Sequence, residues 1–177
     1  MKFDYNHLYI TNWIIMNIKE LLLKNKNKAL TFTCENTSQD LALNTAAAAL
    51  SNGTKIIHFY TKTMCDSKNI ELGFKLRQLC SMYDALLIIN SRIDIAQILD
   101  ADGVCLFDGD ITINHAKKLI HDDKIISIYT TNLENALEAI KNKVDYICAD
   151  LNNKPLLENH LNALGDTKII ELDRIIL

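Results

Sequence analysis

Proline is almost absent from this chain: Pro155 is the single example among 177 residues. No low-complexity stretch breaks the sequence either, so nothing marks a linker between domains. Cysteine is present but unpatterned. Cys34, Cys65, Cys80, Cys105 and Cys148 are odd in number and never in CxxC spacing, which argues against a disulfide framework or a zinc finger. They read instead as buried, reduced thiols that pack as small hydrophobes. Charge of one sign is also lacking. The net charge is -3 with 23% charged residues, so no broad positive field favours nucleic acid. Long apolar runs are missing as well. Nothing approaches the roughly 20 apolar residues that span a bilayer, and Trp13–Met16 is too short for the core of a secretion signal. A cytoplasmic protein with no membrane or nucleic-acid partner is expected.

What is there is a single domain's worth of apolar sequence. At 177 residues and 49% hydrophobic content, residues 1–177 are read as one globular domain with one sizeable core. Short β-branched runs alternate with amphipathic stretches. The strand candidates are Leu8–Ile10, Leu30–Cys34, Lys55–Tyr60, Ala85–Asn90, Gly103–Phe107, Lys124–Ile128, Asp145–Ala149 and Lys168–Leu172. Most are continuous rather than alternating, as parallel strands covered on both faces require.

Helix ends can be placed between them. Thr37 and Asp40 have capping-box spacing before Ala46–Leu50, and Gly53 stops that helix. Asp66 or Ser67 is the expected cap of the next long helix. Thr131 and Glu134 repeat the box before Leu133–Ile140. Pro155 suits a first helical turn, and Gly165 ends that helix. Eight strands alternating with helices predict an α/β fold, a compact (β/α) TIM-type barrel with short loops, in preference to an open doubly wound sheet.

In such a barrel, ligands bind at the C-terminal mouth, where the strands end. His58, Tyr60 and Lys62 alternate along one strand exit. Asn90, Ser91 and Arg92 follow another, Asp108 and Asp110 a third, Tyr129, Thr130 and Thr131 a fourth, and Asp150 a fifth. Carboxylates with phosphate oxygens suit Mg²⁺, and helix N-termini suit phosphate. Plainer roles stand beside these. Asp108-Gly109-Asp110 is also ordinary turn composition. His58 in an apolar strand fits a satisfied core histidine, Lys62 a solvated loop residue, and Arg92 a partner for Asp94. His115, His121 and His160 are assigned no role.

The stretch Ala85–Asp110 resembles the central block of thiamine phosphate synthase and its relative, the thiazole tautomerase TenI. Asn90-Ser91-Arg92 stands for the family's Asn-Asp-Arg, Ala101–Leu106 for its Ala-Asp-Gly-Val-His-Leu strand, and Asp108-Gly109-Asp110 for its Gln-Glu-Asp loop. Lys124–Ala136 is similar to its Ser-Thr-His-Asn-Leu-Glu block, Ile56–Lys62 to its Gln-Leu-Arg-Glu-Lys strand, and Val144–Ala149 to its Ala-Asp-Tyr-Ile strand. The resemblance covers roughly residues 29–150. It implies a (β/α)8 barrel that couples hydroxymethylpyrimidine pyrophosphate to a thiazole phosphate with Mg²⁺, releasing pyrophosphate. By the same resemblance, Asp110 is the metal ligand, and His58, Tyr60, Lys62, Asn90 and Thr130 hold a small phosphorylated metabolite. Lys62, Asn90 and Asp110 keep the family's residues. His58 replaces a glutamine, Tyr60 a phosphate-binding arginine, Ser91 a second magnesium aspartate and Tyr129 a phosphate-contacting serine. The family's last strand and its phosphate-binding glycine pair have no counterpart, and Leu8–Ile10 is expected to close the barrel beside Lys168–Leu172. These departures imply synthase activity that is reduced or lost. The alternatives are a TenI-like thiazole phosphate binder and a non-catalytic relative, with self-association left open.

Overall fold

The computed structural model describes residues 28–33, 39–150, 152–161 and 168–176. Their order is β1 (Lys28–Thr33), α1 (Gln39–Ser51), β2 (Ile56–Phe59), α2 (Asp66–Met82), β3 (Leu86–Asn90), α3 (Ile93–Ile98), β4 (Gly103–Leu106), α4 (Ile113–Leu119), β5 (Ile125–Tyr129), α5 (Leu133–Lys141), β6 (Tyr146–Ala149), α6 (Lys154–Leu161) and β7 (Lys168–Ile176). Each strand pairs in parallel with the next. β7 then pairs with β1, from Lys28 opposite Glu171 to Thr33 opposite Ile176, and this closes the ring. The predicted barrel is therefore present, with seven strands among the described residues. Closure is made by β1 against β7, so the expected closure by Leu8–Ile10 beside Lys168–Leu172 is corrected: β7 already has β6 on one edge and β1 on the other, and Leu8–Ile10 itself lies outside the described residues.

Both faces of β2 to β6 are buried, which explains their unbroken apolar runs. Ile57, Phe59, Leu87, Ile89, Val104 and Ile147 face outward into the layer under the helices, with Leu72, Leu76, Ala136 and Leu157 against them. The alternate positions fill the interior: Ile56, Leu86, Ile88, Cys105, Ile125, Tyr146, Cys148 and Ile170 form a second, separate core.

The helix-to-strand turns share one device. After α1, α2, α3 and α5 the chain turns through a single left-handed residue: Gly53 (φ 93), Asp84 (φ 48), Asp100 (φ 45) and Lys143 (φ 52). The next amide then reaches back to the last helical turn, Thr54 to Ala49, Ala85 to Cys80, Ala101 to Ala96 and Val144 to Ala139, at 2.9–3.2 Å. This is the Schellman arrangement. Only Gly53, where the sequence predicted a stop, carries the residue type that makes it strain-free.

The strand starts are tied in a second repeated way. Asp102 accepts a hydrogen bond from Leu87 N at 2.7 Å and from Arg77 Nη1 at 2.6 Å. Asp145 likewise accepts from Ile126 N at 2.9 Å. Each carboxylate satisfies an amide of the preceding strand, so the Asp before β4 and β6 is a register device. Gly103 follows for steric reasons: a Cβ there would lie 2.3 Å from Ile125 O.

Two caps differ from expectation. Cys65, not Asp66 or Ser67, is the N-cap of α2, without a side-chain cap bond, because the Asp66 carboxylate is turned to Arg92. Asn132, not Thr131, caps α5 by accepting from Glu134 N at 2.8 Å. Pro155 stands in the first turn of α6, as predicted. No helix among the described residues is long and apolar enough to cross a membrane.

Candidate functional site

The strand exits gather at the C-terminal mouth, and the side chains there sort into three groups. The first joins β2 to β3. Arg92, the N-cap residue of α3, donates from Nη1 to Tyr60 Oη at 3.1 Å, with its guanidinium carbon 5.5 Å from the centre of the Tyr60 ring. The same guanidinium forks onto Asp66 (2.9 and 3.0 Å) and Asp94 (2.8 and 2.6 Å). Asp94 first and Asp66 next drive the Arg92 pKa still higher, and Arg92 in turn holds the Asp94 carboxyl below its ordinary value. Arg92 thus pairs with Asp94, as the sequence suggested, and also with Asp66. Just before it, Ser91 is held in the left-handed region (φ 63) and bonded to Cys105 O. Lys62 is exposed in the adjoining turn and has no partner among the described residues.

The second group lies one layer down. His58 is fully buried, and its Nδ1 is 3.1 Å from Asn90 Oδ1. An amide oxygen only accepts, so Nδ1 carries the hydrogen and Nε2 presents its lone pair. Nε2 meets Tyr146 Oη at 2.9 Å and Cys148 Sγ at 3.9 Å. Cys105 completes the cluster: the His58, Cys105 and Cys148 donor atoms lie within 4.8 Å of one another. Ser127 sits beside them, donating to Val104 O at 3.2 Å. Desolvation and then the neighbouring Cys105 push the Cys148 thiol well up. Desolvation acts on Cys105 too, but the neighbouring Cys148 and His58 outweigh it and hold that thiol below its ordinary value.

The third group lies between β4 and β5. Phe107 and Tyr129 stack at 5.2 Å and 22°. Asp110 Oδ2 accepts from Phe107 N at 2.7 Å, while its Oδ1 has no partner among the described residues. Asp108 accepts from Asn135 Nδ2 at 2.9 Å, so the aspartates are in part the turn residues their composition suggested. Tyr129 donates to Asp150 at 3.4 Å. Asn153 also binds Asp150 through its amide and side chain, at 2.9 and 2.7 Å. Thr130 is fully buried, and its hydroxyl is spent inside its own turn, accepting from Asn132 N at 3.0 Å and donating to Asn132 O.

Positions 58–62 and 90–92 thus meet, through His58–Asn90 and Arg92–Tyr60. The 108–110 loop instead leans toward α5 through Asp108. Sequence reasoning overlooked Tyr146, Cys148 and Cys105 as neighbours of His58. Their inward parity on β6 and β4 was the available signal, but which strands face one another across the ring follows only from closure. It also overlooked Asp66 as the second acid on Arg92.

A family profile described as thiamine monophosphate synthase matches residues 30–150. The thiamine-phosphate synthase of Nostoc punctiforme is 44% identical over 105 residues, 59% of this chain and 30% of that protein. That of Campylobacter jejuni strain RM1221 is 38% identical over 136 residues, 76% of this chain and 64% of that protein. The chain therefore spans between about a third and two thirds of the length of these relatives. A solved thiamine phosphate pyrophosphorylase from Pyrococcus furiosus superposes with a TM-score of 0.71 at 27% identity, covering 87% of both chains.

Proposed function

The chain belongs to the thiamine monophosphate synthase family, and from that premise we propose that its barrel mouth binds a small phosphorylated metabolite. The proposed reaction is thiamine phosphate synthesis: hydroxymethylpyrimidine pyrophosphate loses pyrophosphate, and the thiazole nitrogen of thiazole phosphate takes its place. The observation that carries this reading is the meeting of the β2 and β3 exits at Tyr60 and Arg92, which puts cationic and hydroxyl donors at one rim of a barrel of this family.

The chemistry asks the protein to neutralise a leaving pyrophosphate and to orient the incoming ring. Lys62, which has no competing partner among the described residues, takes the phosphate oxygens. Tyr60 offers a hydroxyl where an arginine is expected, and Arg92 behind it is already shared between two carboxylates. Asn90 anchors the floor through His58, and Thr130 shapes the β5 turn rather than offering a free hydroxyl. The donor set fits Mg²⁺ with one acid: Asp110 Oδ1 has no partner among the described residues, and Mg²⁺ takes one or two carboxylates plus substrate phosphates. When bound, the ion would supply charge for the departing pyrophosphate.

Ser91 in place of a second acid and Tyr60 in place of an arginine leave that charge less well balanced. Each missing donor of this kind is worth about 10²–10³ in rate, so the coupling is expected to be slow. Ser91 equally favours a second reading, a thiazole phosphate binder without pyrophosphate chemistry. Incubating the protein with both substrates and Mg²⁺, with calorimetric titration of each, separates them. Thiamine phosphate formation supports the first reading. Saturable binding of thiazole phosphate without product supports the second, and binding of neither overturns both.

A further inference from the structure

Beneath the mouth lies a donor set that the proposed reaction does not use. We propose that His58 Nε2, Cys105 Sγ and Cys148 Sγ form a binding site for a thiophilic d10 cation, Zn²⁺, inside the barrel.

Three strands deliver the donors: His58 from β2, Cys105 from β4 and Cys148 from β6. Alternate strands of a barrel contribute side chains to a common interior layer, and here that layer holds one imidazole and two thiols within 4.8 Å of one another. All three are fully buried. A tetrahedral zinc, with Zn–S of about 2.3 Å and Zn–N of about 2.0–2.1 Å, spaces its donors roughly 3.4–3.8 Å apart. Small side-chain rotations toward the common centre close that gap.

The imidazole is already set for the task. Asn90 Oδ1 takes the Nδ1 hydrogen, the outer contact that metal-bound histidines make with a carbonyl or carboxylate, and it aims the Nε2 lone pair at the sulfurs. Tyr146 Oη, now on Nε2 at 2.9 Å, is released by metal binding and is placed to donate to a thiolate or to stand at the fourth position. Charge balances as well. Zn²⁺ displaces two thiol protons, so Zn²⁺ with two thiolates and a neutral imidazole is uncharged overall, as a site so deep in the core requires. Sulfur and imidazole donors separate this site in kind from the oxygen ligand Asp110 at the mouth.

The test uses the whole chain, purified under reducing conditions, stripped with a chelator and then titrated with Zn²⁺ or Co²⁺ alone. The expected result is one tightly held zinc per chain, a thiolate-to-cobalt charge-transfer band, and a higher Tm with zinc than without. Cys105→Ala and Cys148→Ala should each lose the band, whereas Cys65→Ala, at an exposed position, should keep it. A band that survives both barrel substitutions, or disappears with Cys65→Ala, overturns the site. Should the barrel variants fail to fold, X-ray absorption of the zinc-loaded wild-type protein decides. A shell of two sulfurs and one or more nitrogens is expected, and a shell of oxygens alone overturns the proposal. So does a stripped protein that takes up no zinc.

Discussion

Arg92 reaches back across the mouth to Tyr60, donating to its hydroxyl at 3.1 Å while lying over its ring. The contact places residue 60 beside the only guanidinium described at this rim, yet Asp66 and Asp94 occupy that guanidinium. An arginine at position 60 would add a cation, and either it or Arg92 could then face a pyrophosphate. Tyr60→Arg is expected to raise kcat/KM for thiamine phosphate formation by about 100-fold, the lower end of what one preorganised donor contributes. An unchanged rate would show that the β2 exit does not face the leaving group.

Asp110 divides its carboxylate between two tasks. Oδ2 holds the turn through Phe107 N, and Oδ1 is the oxygen proposed for Mg²⁺. Asp110→Ala removes both, so the turn loses about 1 kcal/mol. Any Mg²⁺-dependent gain in calorimetric affinity for a phosphorylated substrate should vanish. Asp108→Ala disturbs, among the described residues, the Asn135 contact and should leave that gain intact. Equal losses in the two variants would move the metal elsewhere.

The strands were legible because burial on both faces forces continuous apolar runs, and each described strand falls within a residue or two of its expected place, save the longer β7 (Lys168–Ile176). Which runs meet across the ring was not legible. Periodicity says that His58 and Cys148 point the same way from their own strands. It does not say that a seven-strand ring carries β2 and β6 close enough for a contact of 3.9 Å. Two caps were misplaced for a related reason: Asp66 and Thr131 have the right chemistry locally, but a long-range partner, Arg92, claimed one, and Asn132 satisfied the α5 amide in place of the other. Asp102-Gly103 was read as part of a family resemblance, whereas its physical cause, an amide of β3 to satisfy and β5 pressed close, is visible only in the packed sheet.

Gly103 is a point of close approach in that packing. A methyl group there would meet Ile125 O at 2.3 Å and Ile125 Cβ at 2.5 Å, backbone and branched side chain that cannot swing aside. Gly103→Ala should lower stability by about 2–3 kcal/mol, the upper part of the range for overpacking a close-fitted core. Denaturant unfolding would show this as a lower midpoint at unchanged slope. A midpoint within error of wild type would mean that β4 and β5 separate more easily than their register implies.

Lys143 predicts a change of the opposite sign. It occupies the left-handed position after α5 at φ 52, which strains any side chain bearing a Cβ. Its amide bonds to Ile140 O, a contact that glycine keeps. Lys143→Gly should therefore stabilise the protein by about 0.5–1 kcal/mol, the strain relieved less the extra freedom glycine has when unfolded. A drop in Tm would show that the lysine side chain does more for the turn than its geometry reveals.

The cysteines give the last prediction, because burial and hydrogen bonding set them apart. Cys65 is exposed at the start of α2, and hydrogen bonds from Ser67 and the Lys68 amide lower its thiol pKa. Cys80, packed under α2, is pushed up to about 12, chiefly by desolvation. The reactive form is the thiolate, so Cys65 should be alkylated far faster than Cys80 near neutral pH. The Cys65 rate should also begin to rise at a lower pH than that of a free cysteine. Cys105 and Cys148 are sealed inside the barrel, and whatever their charge they should react only as fast as the barrel opens. Mass spectrometry after timed alkylation, with and without denaturant, measures all four. Early modification of Cys105 in the native protein would mean that the interior layer is reached through the mouth rather than closed beneath it.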